Sequence, residues 1–375
     1  MTDVQKPAPF EVVLDCEKLV HPLTGFAETL RQLRKAFAHV APDHVTFRPM
    51  YPSKLRDFQP LPGERPIVVP RWRKASLTEP FVPILEHFGG SPGRRVWHTT
   101  TQLAKYMPLE RRTPLLLTVN DLSVTRVYDE AYAARKLSQL QRLIGRAARI
   151  TTISAFVADE LRHHLDVGDR RIDVVYLAPS ALPEPSPPRP TWLDDRPVLF
   201  TIGVVTARKN LHVLPPMLAH LPGYHLVVAG KADPDYAARL RRLAAERGVG
   251  DRFTLTGPVS ENERAWLYRQ GDAFLFPTLA EGFGLPALDA LQAGTPAFVA
   301  RNTCLPEIVG DAGFYWDDYR DPAAMAEAVG RGLEAVARDP EAHAARGRAR
   351  AAEFTWERTA RRYLSIYEEM VADCC

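Results

Sequence analysis

Residues 273–294, AFLFPTLAEGFGLPALDALQAG, combine an apolar run, a loop with glycines and a short helical pattern. Pro286 suits the first turn of a helix, because an N–H group there would have no partner within the helix. The helix should end just before Gly294. Gly282 and Gly284 have no side chain, so backbone N–H groups at the helix start could approach an anion closely. The stretch therefore predicts a strand, an anion-binding loop and a helix in succession.

Apolar runs typical of buried strands alternate with longer helical patterns in the rest of the chain. The runs EVVLDC, PLLLTVN and ITTI precede helical patterns in the first half, and VLFTI, HLVVAG and FTLTG do so in the second. Strands covered by helices on both faces have this apolar character. The predicted fold class is α/β, with two Rossmann-like, doubly wound units.

A proline-rich segment separates the two halves. Seven prolines lie between residues 177 and 197, a composition typical of a semi-rigid linker. The predicted parts are an N-terminal domain at 1–185, a linker at 186–197, a C-terminal domain at 198–354 and a final helical segment at 355–375.

Composition and charge exclude several classes of protein. The 375 residues include 48 Lys plus Arg and 45 Asp plus Glu, and this near balance argues against nucleic-acid binding. No apolar run approaches the roughly 18 residues of a membrane span, and the first residues contain no signal-peptide core. Four cysteines without paired or metal-binding spacing indicate a reducing compartment, so we expect a cytoplasmic protein. Cys374 and Cys375 leave lipidation open as an alternative to an unstructured tail.

Common nucleotide and hydrolase motifs are missing from the sequence. Neither half has GxGxxG after its first strand, which disfavours nicotinamide and flavin enzymes. The GxxxxGK[ST] and GxSxG patterns of nucleotide hydrolases and serine hydrolases are also absent. The eleven histidines show no metal-ligand spacing, so we expect neither a metal site nor a cofactor.

Charged residues follow two strands of the second half. Arg208 and Lys209 come after VLFTI and before a helix expected near Asn210, where they could hold a diphosphate by charge-assisted hydrogen bonds. Asp233 and Asp235 form a literal DxD, a pattern that can hold a metal on a nucleotide-sugar. A structural interpretation is favoured, with Asp233 as the helix N-cap and Asp235 in the first turn.

The segments TARKN, LTGPVSENE, EGFGLPALDALQAG, LPEIVGDAG and FTWERTARRYLSIYE together resemble the C-terminal half of the retaining glycosyltransferases of family four. The resemblance is strong over about residues 198–370 and weaker in the first half, where EVVLDCEKLVHPLTGFAETLRQL looks like the opening strand, glycine loop and helix. It implies the GT-B fold, with two Rossmann-like domains, a cleft between them and a final helix that crosses back to the first domain. It also implies transfer of a hexose from a nucleotide-sugar to a glycan or lipid-linked acceptor without a metal or a protein nucleophile.

The resemblance assigns roles to individual residues. Glu281 would lie near the transferred sugar, Asp289 near the ribose, and Arg208 and Lys209 at the donor diphosphate. The implied donor-binding residues are Gly25, Arg208, Lys209, Gly257, Val259, Glu281, Gly282, Phe283, Gly284, Leu285 and Asp289. The implied catalytic residues are Glu281, Arg208, Lys209 and Asn120.

Two positions depart from the family pattern. Asn120 stands in TVNDLS where many members have His, and Asn can hydrogen-bond a hydroxyl group but cannot titrate. Asp289 stands where the family has a second Glu. Together they keep open a catalytically weak, sugar-nucleotide-binding pseudoenzyme as an alternative to a transferase. A GT-B epimerase or phosphorylase is a further alternative, although no pyridoxal-binding lysine segment is recognisable.

The acceptor side is expected in the first half. The stretch VWHTTTQ places several hydrogen-bonding groups after a short strand, as an acceptor sugar would require. The predicted acceptor-binding residues are His98, Thr100, Thr101, Gln102 and Asp121. Arg71, Trp72, Arg73 and Lys74 would suit peripheral contact with the inner face of the cell membrane, or form a solvated loop.

The segments RKNL and LPEIVGDAG most resemble those of bacterial mannosyltransferases that use GDP-mannose in the assembly of surface polysaccharides, including lipopolysaccharide. UDP- and dTDP-linked sugars stay open as donors.

Overall fold

The computed structural model describes residues 8–21, 24–55, 58–70, 74, 94–102, 104–184 and 186–373. Contacts between residues divide the chain into two compact units. Unit 1 comprises Met1–Leu177 and Trp356–Cys375, and unit 2 comprises Ala178–Thr355.

Unit 1 is built on a parallel sheet with helices. In the described residues the strand order is β3-β2-β1-β4-β5-β6-β7, and every neighbouring pair is parallel. The strands are β1 (Phe10–Asp15), β2 (Val45–Pro52), β3 (Ile67–Val69), β4 (Arg95–Thr99), β5 (Leu115–Val119), β6 (Arg149–Thr152) and β7 (Ile172–Val174). The helices between them are α1 (Gly25–Val40), α2 (Val124–Val127), α3 (Glu130–Arg146) and α4 (Ala155–His164), and Glu17–Val20 forms a 3-10 turn.

Unit 2 repeats the arrangement with a smaller sheet. Within its described part the order is β10-β9-β8-β11-β12-β13, again parallel throughout. The strands are β8 (Val198–Ile202), β9 (His225–Ala229), β10 (Phe253–Gly257), β11 (Ala273–Phe276), β12 (Ala297–Ala300) and β13 (Phe314–Trp316). The helices are α5 (Leu214–Ala219), α6 (Pro234–Glu246), α7 (Glu261–Gln270), α8 (Leu285–Ala293), α9 (Leu305–Val309), α10 (Pro322–Arg338) and α11 (Pro340–Ala352). The predicted α/β class with two doubly wound units is confirmed.

The last helix, α12 (Trp356–Ala372), belongs to unit 1 although it follows unit 2 in the chain. Its Tyr363 and Tyr367 are buried in the same hydrophobic cluster as Phe37 of α1 and Phe47 of β2. The Tyr367 ring meets the Phe37 and Phe47 rings at centroid distances of 6.1 and 6.3 Å. Burial of aromatic rings of this size contributes a large share of core stability.

The proline-rich segment is packed along unit 2, which differs from the linker predicted at 186–197. The boundary between the units lies between Leu177 and Ala178. Trp192 donates from Nε1 to Glu263 Oε1 at 2.6 Å, and the Arg189 guanidinium lies 5.0 Å from the centre of the Trp266 ring. Both partners are on α7, so this helix holds residues 189–192 of the segment.

None of the helices in the described part of the chain has the length and apolar character needed to cross a bilayer. The predicted membrane-contact residues Arg71, Trp72 and Arg73 lie outside the described residues, as do Cys374 and Cys375.

Candidate functional site

Three glycines lie at the carboxyl ends of adjacent strands in unit 2. Gly203 follows β8, Gly230 follows β9 and Gly257 ends β10. The N–H of Gly203 donates to Ala229 O at 3.0 Å, and that of Gly230 donates to Gly257 O at 2.8 Å. Loops at this edge of a parallel α/β sheet commonly form a ligand crevice.

Gly230 is required by the close approach of two backbones. Its φ is +136°, and a Cβ atom at this position would lie 1.9 Å from Gly203 O. Gly257 was among the predicted donor-binding residues, whereas Gly203 and Gly230 were not. The sequence does mark both, since VLFTIG and HLVVAG each end in glycine directly after a strand.

The two predicted diphosphate-binding cations lie on the loop after β8. Arg208 and Lys209 belong to a 3-10 turn, Ala207–Lys209, and Asn210 then adopts a left-handed conformation with φ of 57°. The helix predicted to begin near Asn210 begins instead at Leu214 as α5. Asn tolerates this conformation better than most residues, and its Nδ2 donates to Tyr319 O at 2.9 Å, which holds the break in place.

Glu281 lies on the loop between β11 and α8 and contacts both cations. Its Oε1 lies 2.5 Å from Lys209 Nζ and 3.4 Å from the nearest Arg208 nitrogen. Thr278 donates from Oγ1 to the same oxygen at 2.9 Å. The Lys209 and Glu281 side chains are only 10% and 11% exposed. We name this group the Glu281 cluster: Arg208, Lys209, Thr278 and Glu281.

The electrostatics of the Glu281 cluster keep its acid ionised. Burial alone would raise the pKa of Glu281, because a charged carboxylate is poorly solvated there. The charges of Lys209 and Arg208, with hydrogen bonds from Lys209 and Thr278, hold the pKa below its ordinary value. Lys209 Nζ also lies 4.7 Å from the centre of the Phe276 ring, a further contact that stabilises the ammonium.

Helix α8 begins beside this cluster as the sequence predicted. It starts at Leu285 with Pro286 in its first turn, and Gly294 caps its end with φ of 84°. Gly284 is the N-cap residue with φ of 94°, and a Cβ there would lie 2.7 Å from a methyl group of Leu305. Phe283 is buried and its ring meets the Phe354 ring at 5.8 Å. The N-terminus of α8 carries a partial positive charge next to Gly282.

Asp289 is fixed by partners within unit 2. Its Oδ1 accepts the backbone N–H of Ser180 at 2.7 Å, and its Oδ2 lies 3.7 Å from Arg264 Nη1. Arg264 also donates to Ala181 O at 3.2 Å. The second acid of the predicted signature thus holds residues 180–181 against α7 and α8, a role that the sequence did not suggest. Its predicted contact with a ribose stays a prediction.

Asp233 of the DxD pair is a helix N-cap, as favoured from the sequence, and Asp235 lies in the first turn of the same helix. Asp233 accepts the N–H of Tyr236 at 3.0 Å and caps α6, and Pro234 is the first residue of the helix. Gly257 and Val259, two of the predicted donor-binding residues, lie where the chain leaves β10. Gly257 has a φ of 73°, and both residues are half-buried.

His98 contradicts the expectation of a loop residue. It lies within β4 and is fully buried. Its Nδ1 is 2.7 Å from Tyr367 Oη of α12, and its Nε2 is 2.7 Å from Thr118 Oγ1 of β5. Burial lowers the pKa of His98 to about 3, so the ring is neutral at physiological pH. The polar pattern VWHTTT misled the prediction because the ring's partner, Tyr367, lies at the far end of the sequence.

The other predicted residues of unit 1 gather where β4 and β5 end. Asn120 donates from Nδ2 to Thr100 O at 2.9 Å, and its backbone N–H donates to Gln102 Oε1 at 3.2 Å. Gln102 donates from Nε2 to Asp121 O at 3.0 Å. Thr101 is buried. The structure therefore places Asn120, Thr100, Gln102 and Asp121 in one network, while their roles toward substrates stay predictions.

Gly25 is the first residue of α1, behind the N-cap Thr24. No atom lies within 4 Å of the position of an added Cβ, so packing in this structure does not require glycine there.

A buried acid at the end of β1 was given no role from the sequence. Asp15 Oδ1 accepts the N–H of Glu17 at 2.9 Å, and Oδ2 has no hydrogen-bond partner among the described residues. Burial raises the pKa of Asp15 to about 7, and the Glu17 carboxylate adds to this effect. Lys105 Nζ lies 2.6 Å from Glu17 Oε1. The sequence feature that marks Asp15 is its position as an acid near the end of the apolar run EVVLDC.

Comparisons with known proteins point to one family. Residues 184–350 match the family described as glycosyl transferases group 1. The serotype-specific mannosyltransferase WbdA of Escherichia coli is 31% identical over 241 residues, covering 60% of this chain and 29% of WbdA. A D-inositol 3-phosphate glycosyltransferase of Mycolicibacterium gilvum (strain PYR-GCK) is 32% identical over 250 residues, covering 62% of this chain and 54% of that protein. The chain thus spans less than a third of the first relative and about half of the second.

The fold of the whole chain is also shared with solved structures. Sucrose-phosphate synthase from Thermosynechococcus elongatus superimposes with a TM-score of 0.73 at 20% identity, covering 98% of this chain and 100% of that chain. The GT-B fold predicted from the sequence is confirmed.

Proposed function

We propose that the chain transfers a hexose from a nucleotide-sugar to a glycan or lipid-linked glycan acceptor, because residues 184–350 match the glycosyl transferases group 1 family. The Glu281 cluster is the observation that carries this proposal. It joins two cations, a buried ionised acid and the N-terminus of α8 at the carboxyl edge of one sheet.

The chemistry of the reaction suits this arrangement. Departure of a nucleoside diphosphate from the sugar builds negative charge on the leaving phosphate. Arg208, Lys209 and the start of α8 are already in place to stabilise that charge, without the reorganisation that water would need. Glu281 orients Lys209 by the 2.5 Å contact and borders the transferred sugar. On this mechanism neither a metal nor a cofactor takes part, and the sugar keeps its anomeric configuration.

GDP-mannose is the donor that we propose first. The support is the similarity of the chain to WbdA, a mannosyltransferase, together with the resemblance of RKNL and LPEIVGDAG to such enzymes. The acceptor is then a growing polysaccharide or its lipid-linked precursor. UDP- and dTDP-sugars are the alternative donors, since no described contact distinguishes one base from another.

A pseudoenzyme is the second candidate, and two substitutions favour it. Asn120 replaces a titratable side chain and is held by Thr100 and Gln102. The Asp289 carboxylate is engaged by Ser180 and Arg264. A protein of this kind would bind a nucleotide-sugar without turning it over.

The deciding experiment is hydrolysis of the donor in the absence of acceptor, across GDP-mannose, UDP-glucose, UDP-galactose and a dTDP-sugar, with and without EDTA. We expect turnover of GDP-mannose that EDTA does not reduce. Lys209→Ala should lower this rate by about 10²–10³, the range for one preorganised donor to a developing anion. Arg241→Ala, an exposed arginine on α6, is the control for loss of a positive charge.

Binding without turnover of any donor would establish the pseudoenzyme. If the wild-type protein neither binds nor hydrolyses any of the four donors, the proposed function is wrong.

Peripheral membrane contact through Arg71–Lys74 is part of the proposal for a lipid-linked acceptor. Co-sedimentation with vesicles that contain anionic lipid, compared with neutral vesicles, tests it. Equal binding to both, or binding to neither, would remove the membrane contact from the proposal.

A further inference from the structure

A cavity of about 160 Å³ lies in unit 1 beyond the end of β5. Its walls come from the loop after β5 and from helix α3. The lining side chains that matter here are Gln102, Asp121, Tyr128, Tyr132 and Lys136. None of the roles assigned above uses the two tyrosines or the lysine.

One wall of the cavity is aromatic. Tyr128 lies between α2 and α3 and is 55% exposed. Its ring meets the ring of Tyr132 at a centroid distance of 4.8 Å and an interplanar angle of 30°. Tyr132 is half-buried, and the Arg135 guanidinium and the Lys136 ammonium lie 5.2 and 5.4 Å from the centre of its ring. The exposed ring of Tyr128 therefore offers the apolar face to a ligand.

Other lining side chains are polar and hydrogen-bonded. Asp121 Oδ1 accepts hydrogen bonds from the Ser123 N–H and hydroxyl at 3.0 and 2.6 Å. The Gln102 amide donates to Asp121 O and accepts from the Asn120 N–H. Within the described part of the chain, both hydrogen bonds to the Asp121 carboxylate go to Oδ1. The other oxygen keeps its capacity to accept hydrogen bonds.

The charges around the cavity favour a neutral ligand. Lys136 lines the cavity, lies 5.4 Å from the centre of the Tyr132 ring and forms no ion pair with a described residue. Asp121 supplies the opposite charge, so a phosphate group would meet repulsion as well as attraction. A carboxylate and an ammonium together can bind neighbouring hydroxyl groups, which both donate and accept hydrogen bonds.

We propose that this cavity binds a pyranose ring of the acceptor glycan, stacked on Tyr128 beside Tyr132 and hydrogen-bonded by Asp121 and Lys136. The C–H groups on one face of a pyranose carry partial positive charge, which matches the negative face of an aromatic ring. That the sugar is an acceptor rests on the proposed glycosyl transfer. The sugar would lie near Asn120, because Gln102 is hydrogen-bonded to both Asn120 and Asp121.

Ligand-observed saturation-transfer NMR tests the site without any need for turnover. The probes are methyl α-D-mannopyranoside, methyl α-D-glucopyranoside and methyl α-D-galactopyranoside, each mixed with the full-length protein. We expect a signal from at least one of them. Tyr128→Leu should weaken its binding by about three- to tenfold, whereas Tyr128→Phe, which keeps the ring, should bind like the wild type.

The matched control is Tyr176→Leu, because Tyr176 is an exposed tyrosine of unit 1, at 40%, that does not line the cavity. Absence of a signal from all three probes would overturn the proposal. So would equal binding by the Tyr128→Leu and wild-type proteins, or an equal loss in Tyr176→Leu.

Acceptor kinetics separate this inference from the proposed function. In a transfer assay, Tyr128→Leu should raise the KM for the acceptor more than it lowers kcat, and Tyr128→Phe should restore it. If the wild type hydrolyses no donor, the proposed function fails, while the NMR result still decides whether a sugar binds here. A fall in kcat with an unchanged acceptor KM would refute the stacking role of Tyr128.

Discussion

Removal of the Lys209 charge is the perturbation that most directly probes the Glu281 cluster. Lys209→Met keeps an unbranched apolar side chain as far as the ε position but removes the ammonium, and with it the contact of Nζ with the Phe276 ring. Glu281 would then keep Arg208, 3.4 Å away, and the hydroxyl of Thr278 at 2.9 Å.

The expected magnitude follows from burial of the pair. Loss of one partner of a buried ion pair costs about 3–5 kcal/mol in the free energy of unfolding, because an uncompensated charge is left behind. Since Glu281 retains two partners, we expect a loss of about 3 kcal/mol for Lys209→Met. In Glu281→Gln the Lys209 ammonium keeps its contact with the Phe276 ring and can donate to the amide oxygen of Gln. We expect a similar loss in the free energy of unfolding. The double variant should lose about 2 kcal/mol less than the sum of the two single losses.

The pH dependence supplies an independent check. In the wild type the pKa of Glu281 is held below its ordinary value, so its stabilising contribution is present above that value and is lost as pH falls through the lowered pKa. Lys209 contributes most to the lowering. In Lys209→Met burial should raise the pKa of Glu281, so the ionised form is destabilising at neutral pH. The deficit of the variant should therefore shrink between pH 7 and pH 4.5.

Calorimetric unfolding of the four proteins at both pH values measures these differences, and hydrogen exchange in residues 273–285 reports whether the loop itself opens. Additive losses in the double variant, or a deficit that does not change with pH, would show that the two side chains do not act as a buried pair.

Three further predictions concern other described residues. On acidification from pH 6.5 to 5, the raised pKa of Asp15 (about 7) should increase the free energy of unfolding by about 2 kcal/mol, because the folded protein binds this proton more tightly than the unfolded chain does. The lowered pKa of His98 (about 3) should decrease it by about 2 kcal/mol, because only the unfolded chain binds a proton there. Asp15→Asn should therefore lose about 2 kcal/mol on this acidification and His98→Phe should gain as much, measured by urea unfolding; parallel profiles for both would contradict the assigned shifts. Asp289→Ala should raise the donor KM more than it lowers kcat and also lower the melting temperature, whereas Glu281→Ala should chiefly lower kcat; the reverse kinetic pattern would exchange the two roles. Gly230→Ala should cost about 3 kcal/mol or more, because its Cβ would meet Gly203 O, while Gly250→Ala, with open space around it, serves as the control; equal melting temperatures would show that the backbone gap is wider than the structure indicates.

The parts of the structure that were predictable from sequence rest on local rules. Pro286 and Gly294 fixed the bounds of α8, and Asp233 with Pro234 fixed the start of α6. Alternation of apolar runs with helical patterns was enough for two doubly wound sheets. In each case the physical cause lies within a few residues of the signal.

The parts that could not be predicted depend on partners far away in the sequence. His98 lies in the core because Tyr367 and Thr118 form hydrogen bonds with its two ring nitrogens. The sequence around His98 does not indicate either partner. Asp289 is tied to Ser180, which belongs to a segment whose composition indicated a linker. The proline content of that segment carried no information about the surface of α7 that it covers.

The division of unit 1 between two parts of the chain sets an order of events during synthesis. All of unit 2 is translated before α12, so unit 2 can fold while unit 1 still lacks Tyr363 and Tyr367. Until then Phe37 and Phe47 lack the rings that bury them, and His98 lacks the hydroxyl that bonds its Nδ1. The domain that begins first is therefore completed last, opposite to the usual N-terminal-first order. A nascent chain halted within unit 2 would expose the apolar surface that chaperones bind.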